Sequence, residues 1–259
     1  WIDMAKRSAL ALVNLAETGL STKDLLTPHA LNNAMVLHAA FGGSTNLLLH
    51  LPAVAHAASL AIPTVEDWTR INRSTPRLVD ALPNGPTGYP TIHVFAAGGV
   101  PEVMLHLRRS GLLHTSTRTV SGLTLNEVLD EWQQSPRRAQ ARAALENIGI
   151  SPDDIIMSPD VSQSRGLTST VVFPTGNLAP EGSVIKATAI DPSVVDKNGV
   201  YYHKAKARVF TSEAAAIASI KGDFGVEPIK AYDIVVVMGI GPAGTGMEEI
   251  YQITSALKY

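Results

Sequence analysis

The sequence contains no cysteine among its 259 residues. This absence excludes disulfides, thiol nucleophiles, zinc–thiolate sites and any iron–sulfur cluster that thiolates of this chain would hold. Neither sign of charge predominates, since the formal net charge is only −2. This balance argues against a nucleic-acid-binding surface or a polybasic membrane anchor. No apolar run approaches the roughly 18 residues of a membrane-spanning helix.

What the chain does have is enough apolar material for a packed core. Hydrophobic residues make up 45% and charged residues 17%, a composition that disfavours disorder. At about 150 residues per domain, the length fits one large or two modest domains. The composition changes after residue 150, where helical, alanine-rich segments give way to β-type segments. Residues 151–166, rich in Pro, Asp and Ser with little periodicity, are typical of a linker or an interdomain loop.

Both ends of the chain indicate a cut. Trp1 stands in place of a methionine, and a helical pattern begins at once over residues 2–20. Residues 248–259 are predicted to be a helix with no C-terminal glycine or polar tail. The beginning has no basic segment followed by a cleavage site, so it is not a signal peptide. We expect a fragment of a longer protein; the alternative is a natural protein that lacks only its initiator region.

Capping residues and glycines predict helices in the first part of the chain. A Thr-Pro pair at residues 27–28 predicts a helix through residue 40, which Gly42 and Gly43 end. Residues 91–96 are predicted to be a short β-like run. Residues 98–102, Gly-Gly-Val-Pro-Glu, are predicted to begin another helix.

The second part is predicted to contain strands at residues 168–173, 183–190, 201–210 and 232–238. Lysines and arginines alternate with apolar residues over 204–209, the period-2 pattern of a half-buried strand. Thr211 or Ser212 is predicted to cap a short helix that ends near Gly222.

A glycine-rich segment follows the last of these strands. Residues 239–244, Gly-Ile-Gly-Pro-Ala-Gly, fit the dinucleotide-binding fingerprint between a strand and a helix. However, Pro242 removes one N–H from the loop, and the carboxylates of Glu248 and Glu249 would repel a phosphate. A carboxylate beside such a loop suits a hard divalent cation better. The simpler alternative, that both glutamates only favour the helix dipole, stays open.

A turn of small residues at 41–46, Phe-Gly-Gly-Ser-Thr-Asn, joins two apolar helices. Its glycines allow close backbone approach. The side chains of Ser44, Thr45 and Asn46, with the N–H groups of the next helix, are suited to hold a carboxylate or phosphate; ordinary helix capping is the alternative. His50 lies on that next helix, where a lone histidine is more often a hydrogen-bonded core residue than a ligand.

A third segment, residues 175–182, is predicted to be a tight loop between two strands. Asn177 suits a turn position in this loop, and Lys186 on the following strand suits a solvent-facing charge. Neither residue type indicates a function by itself.

Taken together, these segments resemble the dihydroxy-acid and sugar-acid dehydratase family, the IlvD/Edd group. Four motifs of that family occur in family order across almost the whole chain. They stand here as Asn32-Asn33-Ala34 with Gly42-Gly43-Ser44-Thr45-Asn46, Leu49-His50-Leu51, Ala53 and Ala55-His56; Ala97-Gly98-Gly99-Val100-Pro101-Glu102-Val103; Gly176 to Gly182 with Lys186; and Gly241 to Glu249. The last motif departs from the family pattern, since Thr-Gly-Met-Glu-Glu replaces Pro-Gly-Met-Pro-Glu. In this respect the chain is similar to the branch that includes xylonate-type sugar-acid dehydratases.

The resemblance implies a hydro-lyase that removes water from a 2,3-dihydroxy sugar acid, a xylonate-like aldonate, to give a 2-oxo-3-deoxy acid. In the family, Mg²⁺ stabilises the enediolate that forms when the C2 proton leaves, and an iron–sulfur cluster accepts the C3 hydroxide. The implied Mg²⁺ ligand here is Glu249, with the adjacent Glu248 as the alternative.

The resemblance also implies roles for other residues. Ser44, Thr45, Asn46 and His50 would line the substrate end of the site. Asn177 and Lys186 would help to build the interface between two domains. The family's cluster cysteines precede the segment matched by Trp1, and its proposed base, a serine, follows the match to Tyr259. We therefore expect this chain to bind no cluster and to be inactive alone.

The fold class implied is α/β, in two partial domains. Residues 1–155 would be the C-terminal part of a three-layer α/β dehydratase domain, and residues 156–259 the N-terminal part of a β-barrel-like swivel domain. The full-length enzyme would be a cytoplasmic homodimer or homotetramer with no nucleic-acid or membrane partner. Two alternatives remain at this stage: a dinucleotide-binding oxidoreductase domain, and a non-catalytic remnant of an enzyme.

Overall fold

A computed structural model describes residues 1–241 and 251–258 of the chain. The chain divides into two compact units, residues 1–190 and 191–259. Both are mixtures of helices and small sheets, so the α/β class is confirmed in this general form. The β-barrel-like swivel domain stays a prediction.

The first unit is largely helical. Its elements are α1 (Ile2–Glu17), α2 (Thr22–Leu25), α3 (Pro28–Phe41), α4 (Leu47–Ala57), α5 (Val65–Ser74), α6 (Thr91–Ala97), α7 (Gly99–Arg109), α8 (Leu125–Gln134), α9 (Pro136–Glu146), α10 (Pro152–Ile155), α11 (Pro159–Ser164), β1 (Val171–Val172) and β2 (Ile185–Lys186). The two strands pair antiparallel. No helix within residues 1–241 and 251–258 is long and apolar enough to cross a membrane.

Capping explains where the helices begin. The Thr27 hydroxyl accepts a hydrogen bond from the Ala30 N–H at 3.1 Å, with Pro28 as the first helical residue of α3, so this prediction is confirmed. The helix predicted from residue 98 also forms, as α7. By contrast, the β-like interpretation of residues 91–96 is wrong, because this segment is helix α6, which follows Pro90 and turns Val94 and Ala97 into the core.

The core of this unit joins α3, α5, α6 and α7 to residues 78–81 and to residues 155–156 at the end of α10. Ile155, Ile156 and Met157 are fully buried. The Asp80 N–H donates to the Ile155 carbonyl at 2.9 Å, and the Met157 N–H donates to the Leu78 carbonyl at 2.8 Å. The interpretation of residues 151–166 as a linker is therefore wrong: a short apolar run within this polar segment pairs with residues 78–80 in the core.

The helix α1 forms as predicted, but it buries no residue. Large apolar side chains along it, including Leu10, Leu12 and Val13, are more than half exposed. The apolar pattern of residues 2–20 therefore predicts the helix correctly but not its packing.

The second unit contains β3 (Ala207–Phe210), α12 (Glu213–Lys221), β4 (Ile234–Val237) and α13 (Tyr251–Lys258), with β3 and β4 paired in parallel. Ser212 caps α12 and Gly222 ends it, as predicted. The strands are shorter than expected.

In β3 the burial of charged and apolar side chains is the reverse of what their alternation in the sequence leads one to expect. Arg208 is the buried residue, whereas Val209 is more than half exposed. The guanidinium donates to the carbonyls of Pro228 at 2.7 Å and Glu227 at 2.8 Å, and to the Ser219 hydroxyl at 3.2 Å. Because arginine carries five N–H donors, this set of acceptors compensates its burial.

In the first unit, a buried ion pair joins α7 to α9. The Glu102 side chain is 3% exposed, and its carboxylate accepts two hydrogen bonds from Arg138, at 2.6 and 2.7 Å. Arg142 lies 3.7 Å from the same carboxylate. Burial alone would raise the pKa of Glu102, but the hydrogen bonds and charge of Arg138, with the charge of Arg142, lower it overall.

We expect Arg138→Ala to lower the free energy of unfolding by about 3 kcal/mol, because it leaves a buried carboxylate without its bidentate partner. Urea denaturation would measure this loss. The neighbouring Arg137, which lies over the exposed Phe95 ring at 5.6 Å, offers a matched control, and Arg137→Ala should cost less than about 1 kcal/mol. Equal losses for the two variants would contradict this account.

Candidate functional site

The turn at residues 42–46 connects α3 to α4. Gly42 has φ +69°, a left-handed conformation that favours glycine, and it ends α3. Its N–H donates to the Ala39 carbonyl, and the Gly43 N–H donates to the His38 carbonyl at 3.0 Å. The Leu47 N–H then donates to the Ser44 carbonyl at 3.2 Å and begins the next helix.

Both glycines of this turn are required by close packing. A Cβ on Gly42 would lie 2.7 Å from the Thr170 Cγ2 atom, and a Cβ on Gly43 would overlap the Cδ2 atom of the His38 ring. Gly43 does not have a positive φ. Its lack of a side chain therefore lets the imidazole reach the turn.

Asn84 anchors the start of the turn from the other side. Its amide nitrogen donates to the Gly42 carbonyl at 2.9 Å, and its amide oxygen accepts from the Thr188 hydroxyl at 3.0 Å. The buried Arg77 donates to the Asn84 backbone carbonyl at 2.7 Å. Since Thr188 lies two residues beyond Lys186, Asn84 joins the turn to the segment that carries this predicted site residue.

His38 contacts the turn from within the core. The side chain is 4% exposed, and its Nε2 atom lies 2.9 Å from the Ser44 carbonyl oxygen. Its ring packs edge-on against Trp68, with centroids 5.5 Å apart. Burial lowers the pKa of His38 below its ordinary value of 6.5, although the carbonyl contact acts in the opposite direction.

Three of the predicted substrate residues lie together in this turn. Ser44 is exposed, while Thr45 and Asn46 are half-buried. The Ser44 hydroxyl accepts a hydrogen bond from the Asn46 N–H at 3.3 Å. His50 lies one turn further along α4 and is exposed, so the interpretation of it as a core residue is wrong.

The other predicted residues are separate from the turn. Asn177 and Lys186 are both exposed and both belong to the first unit. The loop around Asn177 is closed by two hydrogen bonds between the backbones of Gly176 and Ala179, which confirms a tight loop at this position. The interdomain role of these residues stays a prediction.

The predicted metal ligand Glu249 and its neighbour Glu248 lie outside the described residues. Within residues 1–241 and 251–258, no three histidine, aspartate or glutamate side chains cluster in a way that suits a metal ion. No thiolate ligand exists anywhere in the chain.

Sequence reasoning missed the two residues that hold the turn. His38 lies inside the predicted helix, and only its position five residues before Gly43 at a helix end hints at a contact. Asn84 lies in a loop rich in proline and glycine, where an asparagine suggests an ordinary turn former. No local signal could have shown that its partner is Thr188.

Comparison with known proteins agrees with the motifs around this turn. The family model described as dihydroxy-acid/6-phosphogluconate dehydratase N-terminal matches residues 2–128, and the corresponding C-terminal model matches residues 157–259. The chain belongs to this dehydratase family. The C-terminal match includes the glycine-rich residues 239–244, which favours a dehydratase segment over a dinucleotide-binding one.

Among curated relatives, D-xylonate dehydratases YagF and YjhG of Escherichia coli (strain K12) are 60% and 58% identical to this chain. Each match covers 100% of the chain and 39% of the relative. A dihydroxy-acid dehydratase of Sulfurisphaera tokodaii is 36% identical, over 99% of the chain and 40% of that relative. The chain thus spans about two fifths of the length of these relatives.

We expect Gly43→Ala to destabilise the first unit by about 1–3 kcal/mol, because the added methyl group must displace the His38 ring. Gly176→Ala is the matched control: Gly176 also lacks a positive φ, but a Cβ there has no atom within 4 Å. The control should change the free energy of unfolding by no more than about 1 kcal/mol. Urea denaturation of both variants checks the difference, and an unaffected Gly43→Ala variant would refute the close-packing argument.

We also expect stability to fall as the pH is lowered through the range just below 6.5. Burial lowers the pKa of His38, and burial together with Arg109 lowers the pKa of His106. In this range the unfolded chain binds more protons than the folded chain, so acid favours unfolding. Urea midpoints measured from about pH 7.5 to about pH 5.5 test this, and a midpoint that rises with acidification would contradict it.

Proposed function

We propose that the protein to which this chain belongs dehydrates a 2,3-dihydroxy sugar acid of the xylonate type to a 2-oxo-3-deoxy acid. The observation that carries this proposal is the identity of 58–60% to two D-xylonate dehydratases over the full chain, against 36% for a dihydroxy-acid dehydratase. The substituted last motif, Thr-Gly-Met-Glu-Glu at residues 245–249, supports the same branch. The full protein is proposed to be a cytoplasmic homodimer or homotetramer.

Within this function, the turn at residues 42–46 is proposed to bind the polar groups of the aldonate. Ser44 and Thr45 supply hydroxyls, and Asn46 supplies an amide, all beside the N-terminus of α4. An aldonate carries a carboxylate and a row of hydroxyls, so such donors suit it. The exposed His50 lies one turn further along the same helix. Asn177 and Lys186 are proposed to contact the neighbouring domain.

The part of the chain that the structure describes contains no set of ligands for the implied cofactors. An iron–sulfur cluster needs thiolates that this chain lacks, so we propose that its ligands belong to other parts of the protein. Mg²⁺ is proposed to take Glu249 as one ligand. The contribution of the described residues is therefore substrate binding and orientation.

A segment exchange tests the proposal directly. The matched 260-residue segment of D-xylonate dehydratase YagF is replaced by the 259 residues of this chain, and turnover of D-xylonate is measured. We expect the hybrid to dehydrate D-xylonate, because the exchanged segment is proposed to do the same work in both proteins. A folded, cofactor-loaded hybrid with no activity on D-xylonate or other aldonates would overturn the proposal.

The same hybrid tests the turn. Thr45→Val removes one hydroxyl at almost constant volume and should raise KM for D-xylonate about tenfold through the loss of one hydrogen bond. The exposed His56 on α4 provides the control, since it lies outside the proposed site, and His56→Ala should leave KM unchanged. An equal effect of the two substitutions would remove the turn from the site.

A further inference from the structure

The buried His38 is a polar group that lies outside the family motifs in this chain. It lies in α3 and is 4% exposed, but its polar edge faces the turn that carries Ser44 and Thr45. Burial of an imidazole is costly unless its nitrogens are used. The way these nitrogens are used therefore indicates what the residue does.

The contact with Ser44 determines where the ring carries its hydrogen. A carbonyl oxygen can only accept, so at 2.9 Å the Nε2 atom of His38 must be the donor. The Nδ1 atom is buried and has no hydrogen-bond partner in the described part of the chain. A second hydrogen on Nδ1 would therefore be buried without an acceptor. Burial lowers the pKa of His38, in keeping with a neutral ring.

The ring is held in this position on two sides. Trp68 packs against it edge-on at 5.5 Å between centroids. The missing side chain of Gly43 also leaves space for the ring beside the turn, since a Cβ there would overlap the ring. Trp68 in turn stacks on Phe173 at 6.5 Å, two residues before the loop that begins at Thr175.

The Ser44 carbonyl accepts two hydrogen bonds, from the His38 ring and from the Leu47 N–H at 3.2 Å. In a trans peptide the carbonyl and the next N–H point in opposite directions. Because the Ser44 carbonyl is directed at His38, the Thr45 N–H is directed away from the His38 ring. The imidazole is therefore one of two donors that hold this peptide group in its orientation.

We propose that His38 is a positioning residue for the substrate turn: its Nε2–H holds the Ser44 carbonyl and so directs the Thr45 N–H outward, toward an oxygen of the bound sugar acid. The part that concerns the sugar acid rests on the proposed function. The part that concerns the peptide group does not, and it is tested on the chain without any turnover.

The first measurement uses the 259-residue chain labelled with ¹⁵N-histidine. Long-range proton–nitrogen correlation spectra at neutral pH report which ring nitrogen of His38 carries hydrogen. We expect a neutral ring with hydrogen on Nε2 alone. A ring with hydrogen on Nδ1, or a ring protonated on both nitrogens at neutral pH, would overturn the proposal even if no variant were stable.

The second measurement compares His38→Gln with His38→Leu by amide hydrogen exchange. A glutamine amide nitrogen reaches the place of Nε2 and donates in the same way, whereas leucine fills the space without a donor. We expect exchange at Leu47, whose N–H shares the Ser44 carbonyl, to be about fivefold to tenfold faster in His38→Leu. His38→Gln should restore slow exchange, and amides of α7 should not change in either variant.

The rescue separates positioning from simple packing. If both substitutions speed exchange equally throughout the first unit, His38 only fills space and the proposal fails. If neither changes exchange in the turn, the carbonyl is held by other groups and the proposal also fails. Loss of D-xylonate turnover in the hybrid, by contrast, would bear on the proposed function and not on this hydrogen bond.

Discussion

The arrangement of the candidate site depends on one close approach, the contact between the His38 ring and the backbone of Gly43 and Ser44. Because Gly43 has no side chain, a helix can end, turn and begin again within five residues while a buried imidazole lies against the turn. The Ser44 carbonyl accepts a hydrogen bond from the His38 ring and another from the Leu47 N–H, the first hydrogen bond of α4. The turn is thus built largely from backbone contacts, with the side chain of Ser44 exposed and those of Thr45 and Asn46 half-buried.

The local structure of this region could be read from the sequence to a considerable extent. Thr27 and Pro28 define the beginning of α3, and Gly42 defines its end, because capping and left-handed φ angles are decided by neighbouring residues. The predictions from sequence are wrong where tertiary packing decides the secondary structure or the burial of a segment. Residues 91–96 are rich in β-branched side chains but form a helix, because a helical turn brings Val94 and Ala97 onto the core.

Two further errors have the same origin. Residues 151–166 have the composition of a linker, yet three apolar residues within them are fully buried. Arg208 has the charge of a surface residue, yet it is buried among carbonyls that are distant in sequence.

The candidate site also contains residues that the sequence reveals and residues that it does not. Ser44, Thr45 and Asn46 follow from their motif, whereas His38 and Asn84 become visible only when the partners that they hold are placed beside them.

The hydrogen bond between Asn84 and Thr188 joins residues that are 104 positions apart, and Asn84 also holds the Gly42 carbonyl. A loop of this length closes slowly, because its closure costs chain entropy before the contact forms. During synthesis, the polypeptide must therefore emerge from the ribosome well beyond residue 188 before the turn acquires its complete set of anchors. In a nascent chain that stops short of this point, the turn at residues 42–46 lacks one of its anchors. The turn is therefore completed only after the segment that carries Thr188 has been translated.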